Sequence, residues 1–277
     1  MAGTLYIVAT PIGNLEDITR RALRILAEVD LIAAEDTRHS KKLLHHFNIA
    51  TPLISYYREK EQQRAEELIA KLHAGTNIAL ISDAGTPAIS DPGAIVVNMA
   101  RQASIPIVPV PGPSALTAAV SCAGLIPGEF LFVGFAPPKS TQRCTLLRSL
   151  RDLFYPLVFY EAPHRIERFL KDCLEILGDR EILWARELSK KYEEITHATL
   201  GGLFASLNTE KLRGESVFII YPPTVLPPSS DTIEKMLEKF YEQGELSMKD
   251  SCKEVAETLG VGRTSVYQRA LHIWNKR

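Results

Sequence analysis

Short apolar runs recur along the first part of the chain, at Leu5 to Ala9, Leu31 to Ala34, Leu53 to Tyr57, Asn77 to Ser82 and Ile105 to Val110. Between them apolar positions fall at helical spacing; in Glu61 to Ala74, for instance, Ala65, Leu68, Ile69 and Leu72 share one face. Strand-length runs alternating with amphipathic helices predict βα units and a mostly parallel sheet. Beyond the turn-rich Gly124-Leu125-Ile126-Pro127-Gly128, strands are predicted near Phe130 to Phe135, Pro156 to Glu161, Glu181 to Ala185, Ile195 to Leu200 and Ser216 to Tyr221. Less helix separates these strands, which predicts a mixed sheet.

The pattern changes at Pro222 to Ser230, where four prolines fall in nine residues and leave too few backbone donors for a helix or a central strand. Three helical stripes follow: Ile233, Met236, Leu237 and Phe240; Cys252, Val255, Ala256 and Leu259; Val266, Tyr267, Ala270, Leu271 and Trp274. Gly260-Val261-Gly262 between the last two, with Thr264 as an N-cap, gives a helix-turn-helix layout. The expected organisation is an α/β domain over 1–125, a second over 126–222, a linker over 223–230 and a helical unit over 231–277.

Composition narrows the function classes. The 277 residues are 45% apolar, with 32 Lys and Arg against 33 Asp and Glu, so a disordered chain is excluded and any basic surface must be local. No apolar run approaches the ~18 residues of a membrane span, and the chain passes from Met1 into a strand without a targeting signal, so a cytoplasmic location is expected. Cys122, Cys144, Cys173 and Cys252 show no Cys-x-x-Cys spacing, and the histidines show no H-x-x-x-H spacing, so no metal site is expected.

Chemistry is expected in three loops that follow predicted strands: Thr10 to Asn14, Ser82 to Pro87 and Pro111 to Ala115. Loops at the carboxyl ends of parallel strands form the ligand crevice of open α/β sheets. Their glycines let a ligand approach the backbone closely, and their prolines fix the loop shape. The first loop lacks G-x-G-x-x-G and the chain lacks G-x-x-x-x-G-K-[ST], which disfavours dinucleotide and nucleoside triphosphate cradles.

Several motifs together resemble the tetrapyrrole methylase superfamily, and within it the branch that methylates small-subunit ribosomal RNA. They are YIVATPIGNLED from Tyr6, EDTR from Glu35, SDAGTPAISDPG from Ser82 and VPGPSALTAAVSCAG from Val110. In the second half they are FVGFAPPK from Phe132, FYEAPHRI from Phe159, ARELSKKYEE from Ala185 and RGESVFII from Arg213. The resemblance covers residues 1–221; the helical tail resembles an extension found on some members of that branch. It implies the two-domain fold of that superfamily and S-adenosylmethionine as cofactor, held between the domains. It further implies methylation of a cytidine ribose 2′-hydroxyl in 16S ribosomal RNA, as free RNA or assembled small subunit, by a homodimer. Carried over by motif, the cofactor contacts are Thr10, Pro11, Asp83, Ala84, Gly85, Thr86, Pro87, Ser114 and Ala115, with Tyr160 and Gly214 from the second half.

Methyl transfer to a ribose hydroxyl needs an in-line nucleophile and a proton acceptor or cation near its oxygen. The candidates are Glu35, Asp36 and Arg38 past the second strand, and Glu187 and Lys190 in the second half. Glu35 or Glu187 would accept the proton, and Arg38 and Lys190 would hold the adjacent phosphate. A local Glu35–Arg38 salt bridge that merely closes a loop is the alternative. Asp83 would accept from the cofactor's ribose hydroxyls, or else cap the segment after it.

Three stretches are locally basic. Thr37 to Arg58 has no acidic residue; Lys139 to Lys171 sets Lys139, Arg143, Arg148, Arg151, Arg165, Arg168 and Lys171 against Asp152, Glu161 and Glu167; the tail beyond Glu257 carries Arg263, Arg269, Lys276 and Arg277. Such stretches suit RNA phosphates. Trp184 and Trp274 are expected in cores, and Tyr56 and Tyr57 either in a core or stacked on a base. Two other functions fit parts of the pattern: a methylase of a tetrapyrrole or other small molecule, and a metabolite-sensing DNA-binding regulator. The basic stretches and tail argue against the first, and the methylase motifs against the second.

Overall fold

The computed structural model describes residues 2–126, 128–208, 212, 214–223, 230–244, 246–259 and 263–274. The chain forms two compact units, residues 1–222 and 223–277. The first begins with five strands, β1 (Leu5–Val8), β2 (Leu31–Ala34), β3 (Leu53–Ser55), β4 (Ile78–Ile81) and β5 (Ile107–Val110). Interleaved with them are α1 (Arg20–Glu28), α2 (Thr37–His46), α3 (Glu61–His73) and α4 (Ala94–Gln102), and α5 (Ala115–Ser121) follows. These strands make a fully parallel sheet in the order β3-β2-β4-β1-β5.

Period-two alternation decides what each strand buries. Ile78 and Leu80 of β4 pack under α3 and α4, whereas Ala79 and Ile81 pack under α1 and α2 on the opposite face. Both faces of the sheet are therefore covered, which accounts for the near-continuous apolar runs. The α3 stripe falls as its periodicity predicts, with Ala65, Leu68 and Leu72 buried and Ile69 half-buried. Neighbouring strands β2 and β4 send the chain in opposite directions, β2 outward to β3 and β4 across to β5. Their loops diverge and leave a crevice at the carboxyl ends. Glu35 follows β2 and Asp83 follows β4.

The second sheet contains β6 (Leu131–Phe135), β7 (Leu157–Glu161), β8 (Glu181–Arg186), β9 (Glu194–Thr199) and β10 (Ser216–Ile220), in the order β6-β7-β10-β8-β9. Only β6 and β7 are parallel; the remaining pairs are antiparallel, so the sheet is mixed. One face packs on α6 (Ser140–Leu150), α7 (Ile166–Leu177) and α8 (Leu200–Ser206) through Phe159, Phe169, Trp184 and Phe218. The other face packs on α5, through Val158, Leu183, Val217 and Ile219 against Leu116 and Ala119. Helix α5, which follows β5 of the first sheet, thus packs on the second, in a layer that also takes in Ile12 of the first loop.

In the second unit, α9 (Ser230–Gln243), α10 (Met248–Leu259) and α11 (Arg263–Trp274) share a core of Ile233, Leu237, Cys252, Val255, Val266 and Ala270. Tyr267 and Leu271 depart from the expected stripe: Tyr267 is exposed and Leu271 lies outside the shared core, while Ile273 joins Val266, Ala270 and Trp274 on the buried face. Residues 224–229, the Gly260–Gly262 turn and the Thr264 side chain lie outside the described residues. Among the described residues no helix is long and apolar enough to cross a membrane.

Candidate active site

The three glycine- and proline-rich loops are tied to one another. Thr10 and Gly85 exchange backbone hydrogen bonds, each 2.9 Å, and the buried Thr10 hydroxyl donates to the Ser82 carbonyl. The Thr86 hydroxyl donates to the Pro113 carbonyl at 3.2 Å, and Ser114 caps α5 by accepting from Thr117 N–H. Gly85 sits at φ +79°, a region where a side chain is strained, so glycine is required there by conformation. The side chains of Thr10, Thr86 and Ser114 therefore shape the loops. What the loops offer a ligand is backbone and the Asp83 carboxylate, whose Oδ1 accepts from Asp36 N–H at 3.1 Å.

Adjacent carboxylates behind β2 have opposite environments. Burial, reinforced by the nearby charges of Asp91 and Asp83 and only partly offset by a hydrogen bond from the Asp83 backbone and by Arg58, pushes the Glu35 carboxyl up to about 7. Asp36 points to solvent, where the Arg38 guanidinium and the α2 N-terminus hold it down at about 2. Its Oδ1 accepts from Arg38 N–H at 2.8 Å and its Oδ2 from Arg38 Nη2 at 2.9 Å. The loop-closing ion pair is thus Asp36–Arg38, not Glu35–Arg38; among the described residues Glu35 makes no ion pair and accepts a hydrogen bond from the Asp83 backbone. The Arg38 side chain is 89% exposed and is held against Asp36 by this pair.

The second half contributes the facing wall. Tyr160 on β7 accepts from Leu116 N–H at 2.9 Å, and its phenol is pushed up to about 12, mainly by burial. After β8, Glu187 and Ser189 both adopt positive φ, +50° and +67°, which is costly for residues with side chains. This conformation brings Lys190 Nζ to 2.9 Å from Glu187 Oε1 and lays the Lys190 chain across Gly13. A Cβ on Gly13 would fall 2.3 Å from Lys190 Cγ, and one on Gly214 would fall 1.4 Å from Glu187 Oε1. Ser189 also donates to the Asp17 carboxylate, so this loop clasps the first loop of the other half.

The structure therefore gathers Glu35 with Asp83, and Glu187 with Lys190, Gly13 and Gly214, while Asp36 turns away into its helix cap. Asp91 and Glu215 were not singled out by sequence reasoning, yet both act on this region. Asp91 is raised above the usual carboxylate range by burial and by the charges of Glu215 and Asp83. Asp91 lies inside SDAGTPAISDPG, so a search for half-buried acids within the matched motifs would have found it. Arg58, read only as part of a basic stretch, donates to the Ser90 carbonyl at 2.9 Å and bears on both Glu35 and Asp91.

The basic stretch from Lys139 to Lys171 is thinner than its composition implies. Arg143 is buried and pairs with Asp172 at 2.6 Å, and Arg165 lies 3.0 Å from the buried Glu161. Both are internal fasteners for the Ala136–Pro138 loop, whose carbonyls accept from them, and so they drop out of any RNA surface. Tyr56 is a core residue, its hydroxyl donating to Glu61 and accepting from Val96 N–H. Trp184 and Trp274 also pack into cores; Trp184 stacks on Phe218.

Residues 4–203 match the Tetrapyrrole (Corrin/Porphyrin) Methylases family. The chain is 45% identical over 276 residues to the ribosomal RNA small subunit methyltransferase I of Escherichia coli O157:H7, covering 97% of this chain and 95% of that one. It is 43% identical to the protein of the same name from Pseudomonas aeruginosa, covering 98% and 97%. Among solved structures, diphthine synthase superposes with a TM-score of 0.62 at 14% identity, covering 79% of this chain and 90% of that one. Uroporphyrin-III C-methyl transferase from Thermus thermophilus, complexed with S-adenosyl homocysteine, gives 0.56 at 21% identity, covering 79% and 97%. The chain belongs to the tetrapyrrole methylase family, alongside the ribosomal RNA small subunit methyltransferases I.

Proposed function

We propose that the protein transfers a methyl group from S-adenosylmethionine to the ribose 2′-hydroxyl of a cytidine in 16S ribosomal RNA. The observation that carries the reading is the juxtaposition of a half-buried Glu35, tuned to about 7, with Asp83 and Asp91 at the carboxyl ends of a parallel sheet. A wall rich in carboxylates suits a sulfonium and an ammonium and would repel a pyrophosphate, so the donor set fits this cofactor. When bound, S-adenosylmethionine supplies an electrophilic methyl on a positively charged sulfur.

The chain's own residues do the rest. The tied loops from Thr10, Asp83 to Pro87, and Ser114 to Ala115 fix the cofactor-side backbone, and Asp83 accepts from ribose hydroxyls. Tyr160 and Gly214 close that pocket from the second half, Gly214 by keeping Glu187 close. Glu35 takes the proton from the 2′-hydroxyl as the oxygen attacks; a base whose pKa lies near the working pH is the effective one. Arg38 and Lys190 hold flanking phosphates, and Glu187 orients Lys190 through their ion pair. The cations of Lys41, Lys42, Lys139, Arg148, Arg151, Arg168 and Lys171 suit further phosphates of the RNA.

The substrate is the RNA or the assembled small subunit, in the cytoplasm. A homodimer fits the β6 edge, where the exposed Phe130 and Tyr155 line a hollow of about 520 Å³ and Ile126 and Phe154 are exposed nearby in sequence. That hollow opens at the start of β6, the opposite end of the strand from the site. Labelled methyl transfer to small subunits, to their free RNA and to a tetrapyrrole precursor tests the reading. Label in alkali-resistant RNA dinucleotides is expected; label in the tetrapyrrole alone would overturn it.

A further inference from the structure

Strand β6 pairs Leu131 with Leu157 and Phe132 with Val158, but then Gly134 with Phe159 and Phe135 with Tyr160. Val133 is an extra residue in a parallel pair, where bulges are rare. Because side chains alternate, one inserted residue reverses the face of everything after it. Leu131 and Val133 pack toward α6 and α7, and Phe132 packs toward α5. An unbroken strand would send Phe135 the way of Leu131 and Val133; the bulge turns it to the face of Phe132 and Tyr160.

The bend is built into the residues around it. Gly134 has φ +76°, and a Cβ there would stand 3.7 Å from Ser90 Oγ, so the bulge abuts the loop that carries Asp91. The Phe135 ring meets Tyr160 edge-on, with centroids 5.6 Å apart, and Tyr160 is itself anchored to Leu116 and to Phe132. Yet Phe135 remains 41% exposed. A large ring turned away from the α6–α7 core to the face of Tyr160 and braced along one edge leaves an apolar surface open beside the loop that carries Asp91. An open aromatic face of this kind suits a planar ligand.

We infer that Phe135 is the stacking platform for the base of the nucleotide whose ribose is methylated. This rests on the RNA reading above. A ribose hydroxyl alone gives an enzyme little to grip, so holding it in line requires a grip on the attached base, and aromatic faces supply that for single-stranded or extruded nucleotides. The ring then positions substrate and takes no part in proton transfer.

The test compares Phe135→Ala, Phe135→Leu and Phe135→Trp in the full-length protein, with small ribosomal subunits as acceptor. Melting temperature and S-adenosyl homocysteine affinity are measured on each. Phe135→Ala is expected to lower kcat/KM by roughly 5- to 150-fold, the range for losing one base stack, with homocysteine-product affinity and the pH profile unchanged. Phe135→Leu, which keeps bulk but loses the aromatic face, should behave like Phe135→Ala, and Phe135→Trp should restore activity to within a few-fold. Weakened S-adenosyl homocysteine binding would overturn the inference by assigning the ring to the cofactor, and unimpaired Phe135→Ala activity would overturn it outright. Failure of the unsubstituted protein to methylate any RNA would remove the RNA reading, and this inference with it.

Discussion

The two walls of the site are built by different means. The wall from the parallel sheet is made of backbone: Thr10, Gly85, Thr86 and Pro113 knit three loops together, and half-buried acids are placed among them. The wall from the mixed sheet is made of side chains held in costly positions, with Glu187 and Ser189 at positive φ, Lys190 laid over Gly13, and a bulge that re-aims Phe135. The first arrangement tunes charge, since the tied loops keep Glu35, Asp83 and Asp91 close enough that their charges outweigh the relief from Arg58 and the backbone. The second arranges shape, and it depends on glycines that leave room for neighbouring side chains.

Substitutions separate the two walls. The largest effect is expected for Glu35→Gln, which should reduce the single-turnover methyl-transfer rate by about 10²- to 10⁴-fold, while Asp36→Asn should leave it within a few-fold. These neighbours differ because one acid is buried among acids and the other is solvated and paired with Arg38. Glu35→Gln should also raise the melting temperature at pH 8. The folded Glu35 carboxyl titrates near 7, above its unfolded value of 4.5, so its stabilising contribution is fully present below 4.5 and lost as pH rises through 7. A neutral amide has no such loss, and the difference in melting temperature should vanish at pH 4.

On the other wall, Gly214→Ala should destabilise the unit by more than about 1 kcal/mol in denaturant unfolding, because it combines φ +71° with overlap on Glu187. A milder change in activity is expected from Lys190→Ala: a raised KM for RNA with kcat nearly retained. Smallest in rate but distinct in kind is Arg58→Ala. Removing the cation that opposes the Glu35 shift should move the lower limb of the pH–rate profile to higher pH.

Much of the first wall was legible in the residues alone. Each of the ten strands among the described residues lies where an apolar run predicted it, with ends matching or shifted by one or two residues; Ile105 and Pro106 fall short of β5, β8 runs on to Arg186, β9 begins at Glu194, and Leu200 begins α8. The loops could be read because glycine and proline mark local conformation, and local conformation is written in neighbouring residues. The second wall could not be read that way. The Val133 bulge exists only in the pairing of β6 with β7, and the burial of Arg143 depends on Asp172 arriving from α7. A run of basic residues says nothing about which of them are already paired. Likewise, EDTR offers two adjacent acids, and only the tertiary crowding by Asp83 and Asp91 distinguishes the one able to hold a proton near neutrality.

The most direct test of that distinction is the single-turnover rate of methyl transfer to small ribosomal subunits between pH 5 and pH 9, with saturating S-adenosylmethionine, for the unsubstituted protein and for Glu35→Gln. The account predicts a rate that rises with pH through an apparent pKa near 7 and then levels, and a Glu35→Gln profile that is low and has lost this step. A Glu35→Gln enzyme that keeps the full rate and the same pH step would contradict it and assign the proton to another group.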